Sequence, residues 1–124
     1  MILGIGTDLL DVARMAKELK EEEAGFRDTV FTASEIAYCE AKRYPARHFA
    51  ARFAAKEALF KALAGPASRD SWREVEVART DGAPPRLLLH GGTKEAAARL
   101  GVTNILVSLS HTDSLATASV VLQG

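Results

Sequence analysis

The sequence predicts an α+β protein in which an antiparallel sheet is packed with helices. Three observations predict it. Period-two segments open and close the chain, at residues 2–9, 105–109 and 115–122, and a further pair, 72–80 and 86–90, flanks Asp81-Gly82. Neighbouring strands joined by so short a turn run antiparallel. Between these strands, residues 50–63 read A-A-R-F-A-A-K-E-A-L-F-K-A-L, strong helix formers with no Gly or Pro. Helices set apart from paired strands in this way define the α+β class. At 124 residues the chain makes one domain with a modest core.

Residues 2–9 form the opening strand. Ile2, Gly4, Gly6 and Asp8 share one face, and Leu3, Ile5, Thr7 and Leu9 the other. The glycine face admits another backbone or a ligand, with Asp8 at its open end. Asp8 reads as a turn or cap residue or, if Asp11 caps the next helix, as a carboxylate left for other work. Residues 12–23 form an exposed helix, with Val12, Met15, Ala16 and Leu19 inward, Arg14, Lys17 and Lys20 outward, and Gly25 ending it. Thr32 followed by Glu35 is a capping box for a helix that runs to Tyr38 or beyond; Glu35 serves there as a cap or in a site.

Arg43, Pro45, Arg47, His48 and Arg52 lie between that helix and the central one. They form a solvated basic rim or a phosphate-binding edge, since arginines offer planar, bidentate donors. The central helix ends at Gly65-Pro66. Gly91-Gly92 breaks the hairpin, and residues 93–100 form a short helix ended by Gly101. The last two strands meet at S-H-T-D-S, where His111 is a surface turn residue or a ligand contact.

On the central helix, at about 100° per residue, Phe49, Phe53, Phe60 and Ala64 form an apolar stripe with Glu57 in its middle. Ala51, Ala54, Ala55, Ala58 and Ala62 cover an adjoining face that can approach other backbone closely, as in a deeply packed helix. A carboxylate in an apolar stripe needs a partner. Lys61 at i+4 is one, and a metal ion is the other.

Lys plus Arg and Asp plus Glu number 16 each, so the balance gives no support for nucleic-acid binding. The single Cys39 excludes an intramolecular disulfide and a Cys-rich metal site, and reads as a small apolar filler. The first residues lack a basic n-region and meet Asp8 too early for a signal peptide. No apolar run reaches the roughly 18 residues of a membrane span. A cytoplasmic protein is expected.

G-I-G-T-D at Gly4 to Asp8, R-F-A-A-K-E-A-L-F-K-A-L at Arg52 to Leu63 and S-L-S-H-T at Ser108 to Thr112 occur in that order, with F-T-x-x-E at Phe31 to Glu35. Together they resemble the small, holo-acyl-carrier-protein synthase type of 4′-phosphopantetheinyl transferase over nearly the whole chain. The resemblance implies that family's fold and its reaction in fatty-acid synthesis: transfer of the phosphopantetheine arm of coenzyme A to a serine of apo-acyl carrier protein, with adenosine 3′,5′-bisphosphate released. It implies Asp8 and Glu57 as magnesium ligands and, with Lys61, as the catalytic group, Lys61 also reaching the phosphates. Arg43, Arg52, His111 and Thr112 take the 3′-phosphate and adenosine end. Pro85 matches a position near the adenine, with Pro84 leaving the register open. A homotrimer with sites between subunits follows. So does a carrier-docking surface of Arg14, Met15, Lys17 and Arg27, against which Glu18 and Glu21 to Glu23 set acid. A-G-P-A-S-R-D at Ala64 to Asp70 departs from the family's G-T-G-like turn. The alternatives are a coenzyme A- or carrier-binding module without catalysis and an unrelated metal-dependent phosphohydrolase. Which carriers are loaded is left open.

Overall fold

The computed structural model describes residues 1–21, 25–65, 71–80 and 82–124. Strand β1 (Ile2–Asp11) runs directly into helix α1 (Val12–Lys20), followed by α2 (Phe26–Val30), α3 (Ala33–Glu40) and α4 (Pro45–Ala62). A 3₁₀ turn (Trp72–Glu74) leads into the hairpin β2 (Val75–Ala78) and β3 (Arg86–Leu89), then α5 (Gly91–Arg99), β4 (Asn104–His111) and β5 (Leu115–Gln123). All strand pairs are antiparallel. They make two sheets rather than the one expected: a three-stranded sheet in the order β1-β5-β4, and the separate ribbon β2-β3. In this ribbon of four-residue strands, β2 packs on α3 and α4, and β3 lies against β4.

Helix α4 lies across β1 and β5 and forms the centre of the core. The two glycines of β1 make this possible. A Cβ at Gly4 would stand 2.3 Å from the Ala62 carbonyl oxygen, and one at Gly6 would stand 1.8 Å from that of Ala58. Strand and helix backbones therefore meet with no side chain between them. On β5, Ala116, Ala118, Val120 and Leu122 alternate inward onto the same helix. A second cluster gathers Val12, Met15, Val30, Phe31 and Phe49 between α1–α3 and the first half of α4. Cys39 is buried there, and burial pushes its thiol up to about 12, in keeping with an inert filler.

Several boundaries differ from the sequence reading. Helix α4 begins at Pro45, whose fixed φ suits a first helical turn, so Arg47, His48 and Arg52 stand on α4 and not ahead of it. Asp11 occupies the N-cap position of α1 but makes no side-chain cap hydrogen bond. Helix α1 ends at Lys20; Glu22 and Glu23 lie outside the described residues. Helix α2 has no periodic signal in sequence. Gly91 and Gly92 start α5 instead of breaking the hairpin, because Glu74 accepts hydrogen bonds from Gly92 N and from the Thr93 hydroxyl. The Thr32–Glu35 capping box forms as read. Helix α4 stops at Ala62, before Gly65-Pro66, and Ala64 takes a left-handed φ of 66°. Pro66 to Asp70 and the turn residue Asp81 lie outside the described residues. Among the described residues no helix is long and apolar enough to cross a membrane.

Candidate active site

Strand alternation puts Asp8 on the same face as Gly4 and Gly6, against α4, at the flank where Glu57 and Lys61 emerge one turn apart. The Thr117 hydroxyl donates to the Asp8 carbonyl oxygen at 2.8 Å and pins that backbone. Lys61 Nζ donates to Asp8 Oδ1 at 3.1 Å and to the Thr7 carbonyl oxygen at 3.0 Å. Its ion pair is thus with Asp8, and the Glu57–Lys61 pair considered from sequence does not form. Glu57 is half-buried. Its carboxyl is raised above the ordinary value, first by burial and then by the charge of Asp8, with Lys61 opposing.

The two carboxylates line a cavity of about 410 Å³ whose polar rim also includes Arg14 and Glu18 and whose apolar wall includes Leu10, Met15, Phe26 and Phe53. Among the described residues no group of three or more His, Cys, Asp or Glu is placed to hold a metal. Two hard carboxylates nonetheless fit magnesium, which keeps several waters and takes one or two carboxylates plus phosphate oxygens. The raised Glu57 is the observation that fits such an ion, because a divalent cation would relieve its repulsion with Asp8 and favour its charged form.

A second, cationic group forms on another flank of α4. The rings of His48 and His111 stack edge to face, 5.0 Å between centroids. The Arg52 guanidinium lies 4.2 Å from the centre of the Tyr38 ring, and Nη1 donates to the His48 carbonyl oxygen at 3.4 Å. Arg52 is 2% exposed, and its Nε and Nη2 find no protein partner among the described residues. His48 is pulled down to about 4 by burial, then by His111, Arg52, Lys42 and Arg79. Arg43 is exposed, its guanidinium near the Tyr44 ring. The Thr112 hydroxyl accepts from Ser114 N and Leu115 N and holds the β4–β5 turn. A cavity of about 330 Å³ opens nearby between α3 (Ser34, Tyr38) and the hairpin (Val77 to Thr80, Pro84, Arg86). Pro84 lines it and Pro85 is its half-buried neighbour in the chain.

The structure therefore gathers Asp8, Glu57 and Lys61 in one place and Arg52 and His111 in another. Five residues separate Arg52 from Glu57, about 140° around the helix, so the two groups face different ways. In the sheet, Asp8 on β1 and His111 on β4 are held apart by the intervening β5. Of the expected docking residues, Arg14 and Lys17 are exposed, while Arg27 pairs with Glu40 at 3.2 Å. Met15 is a correction: at 2% exposed it belongs to the core and the cavity wall, because it stands on the inward stripe of α1. Sequence reasoning missed Tyr38 beneath Arg52 and the buried pair Glu35–Lys56. A lysine inside the small-residue face of α4 was the available signal for the pair.

Comparison with known proteins assigns the class. Residues 4–119 match the model of the 4′-phosphopantetheinyl transferase superfamily. The chain belongs to that family. It is 39% identical to the holo-[acyl-carrier-protein] synthase of Moorella thermoacetica over 98% of this chain and 94% of that one. The crystal structure of the Neisseria meningitidis holo-[acyl-carrier-protein] synthase superposes with a TM-score of 0.88 at 26% identity, covering 100% of both chains. The Bacillus anthracis enzyme of the same name, solved in complex with CoA (3′,5′-ADP), gives 0.79 at 29% identity, over 98% of this chain and 96% of that one.

Proposed function

We propose that this chain transfers the 4′-phosphopantetheine arm of coenzyme A to a serine of apo-acyl carrier protein, giving holo-carrier and adenosine 3′,5′-bisphosphate. The observation that carries this reading is the meeting of Asp8 and Glu57 at one cavity, with Lys61 paired to Asp8, on the strand and helix that bear the family signatures. The coenzyme complex of the Bacillus anthracis relative supports coenzyme A as the donor. The serine oxygen attacks the β-phosphorus, a new P–O bond forms, and the bond to the bridging oxygen breaks with its electron pair leaving on the nucleotide phosphate. Lys61 reaches the phosphates as a point charge, oriented by Asp8. Asp8 and Glu57 would hold magnesium, which when bound supplies electrostatic stabilisation at the pyrophosphate oxygens.

The unpaired Nε and Nη2 of Arg52, with the His48–His111 pair beside it and Arg43 as a further exposed cation, suit the 3′-phosphate, and the Pro84–Pro85 side suits the adenine. Because the anionic and cationic groups face different ways, a complete site draws one from each of two copies, in a homotrimer. Exposed Ile5 (71%), Leu9 (62%) and Leu106 (49%) on the sheet support such an assembly. Residues 1–124 act as one domain in the cytoplasm, serving carriers of fatty-acid synthesis, which dock through Arg14, Lys17 and Arg27. The test is incubation with coenzyme A, Mg²⁺ and apo-carrier, followed by mass measurement of the carrier. A carrier heavier by the phosphopantetheine group is expected. Coenzyme A degraded without loading would mean a hydrolase, and coenzyme A bound but unchanged would mean a binding module.

A further inference from the structure

Lys56 stands one residue before Glu57 and points away from the carboxylate cavity, into the protein. Its side chain and that of Glu35 are 0% exposed. All three ammonium protons are used: on Glu35 Oε1 at 2.8 Å, on the Trp72 carbonyl oxygen at 2.9 Å and on the Val75 carbonyl oxygen. Glu35 is equally committed. Oε1 also accepts from Thr32 N at 2.9 Å, and Oε2 accepts from Val77 N at 3.0 Å. One ion pair thus ties three elements together: α3, α4 and the segment that enters β2.

Those ties fall at a defined place. Ser34 and Tyr38 of α3 form one wall of the 330 Å³ cavity, and Val77 and Ala78 of β2 with the following Arg79 and Thr80 form the other. Glu35 bridges the two walls. Lys56 joins them to the helix that presents Glu57 and Lys61. A buried ion pair is seldom better for stability than a well-packed apolar pair of similar volume. A fully satisfied one fixes geometry, because every donor and acceptor has a single partner.

We propose that Glu35 and Lys56 are positioning residues for the transfer reaction, setting the width of the α3–β2 cavity. This rests on the reading of that cavity as part of the coenzyme A site. Neither residue touches the reacting atoms; both act through the hairpin.

The experiment compares carrier loading by the wild-type protein, by the double variant Glu35→Leu with Lys56→Met, and by Glu35→Gln. The double variant removes both charges together, but Thr32 N, Val77 N and the Trp72 and Val75 carbonyl oxygens lose a side-chain partner, so some loss of stability accompanies it. It is expected to melt below the wild type and, assayed where it is fully folded, to raise KM for coenzyme A by about tenfold and to leave kcat within about threefold. A purely structural pair would change the melting temperature and the active fraction and leave KM where it was; that result overturns the proposal. Should the double variant not fold, Glu35→Gln decides. Its single acceptor oxygen cannot serve Lys56 and Val77 N together, so the cavity wall loosens while the shape is kept. The same rise in KM is expected, and an unmoved KM overturns the proposal. Wild-type protein that neither binds coenzyme A nor loads the carrier defeats the functional reading itself. Loading with an unmoved KM defeats only the positioning role.

Discussion

Glu57 carries its charge unfavourably. Its carboxyl is raised from the ordinary 4.5 by burial and by Asp8. An acid raised in the folded state binds its proton more tightly there than in the unfolded chain. Its contribution to stability is therefore complete below 4.5 and is lost as pH rises through the folded value. Glu57→Gln removes that loss. In chelator at pH 7 the variant should melt at or above the wild type, the gap closing toward pH 4.5, while loading falls severely and what remains needs more Mg²⁺. Asp8→Asn also relieves repulsion but gives up the half-exposed pair with Lys61, worth roughly 0–1 kcal/mol, so its melting temperature should barely move. The two losses of activity should be far from additive. A lower melting temperature for Glu57→Gln with an unchanged Mg²⁺ requirement would make Glu57 a structural residue.

His48 offers a second probe at this scale. Its ring titrates near 4, so the stability it contributes is present above the ordinary 6.5 and is lost as pH falls toward 4. A phosphate bound among the same cations would reverse the local potential. Proton NMR should show the His48 titration climbing on addition of adenosine 3′,5′-bisphosphate, and a titration that stays near 4 would place the phosphate elsewhere. Asp8 and Glu57 could be picked out in the sequence because each breaks a local pattern, one a glycine-lined strand end and the other an apolar stripe. The burial of Arg52 and the His48–His111 stack could not. They depend on where the start of α4 meets the end of β4, which no local rule specifies.

At the scale of elements, the packing of β1 on α4 depends on bare backbone. Gly6→Ala would drive a methyl into the Ala58 carbonyl oxygen, and overpacking of this kind costs about 3 kcal/mol or more. Chemical denaturation should show that loss, and a near-neutral result would mean the strand can shift. Ala64 is the reverse case. It follows α4 with φ 66°, a conformation glycine takes without a Cβ penalty. Ala64→Gly should therefore gain about 0.5–1 kcal/mol, read as a raised midpoint in denaturant. The long periodic elements were legible in kind: β1, α1, α4, β4 and β5 all form, though α4 starts at Pro45 and not at Ala50, and α1 ends at Lys20. Helix α2 was not, since five residues show no period. The split into two sheets was not either, because alternation identifies strands and says nothing of which strands pair.

At the scale of the whole molecule, one face of the β1-β5-β4 sheet holds α4 and the other presents Ile5, Leu9 and Leu106. Contiguous exposed apolar surface of this kind marks an interaction site. If the proposed homotrimer forms through this face, Ile5→Glu should give monomers by light scattering and abolish loading, although Ile5 is remote from the carboxylates' face of the strand. Monomers with full activity would show that one copy suffices. No pattern in a single chain specifies the number of copies; the alternation in β1 specifies only a glycine-lined face ending in Asp8 and an apolar face carrying Leu3, Ile5 and Leu9.

The pairing of β1 with β5 also bears on how the molecule comes into being. The Thr117 hydroxyl reaches Asp8 across 109 positions of sequence. On the ribosome β1 emerges before β5 and has no strand to pair with until β5 follows, a wait of several seconds at about 5–20 residues per second. Closing so long a loop is entropically unfavourable and slows folding. The strand that carries Asp8 is thus synthesised well before its only sheet partner among the described strands, and its ladder closes late.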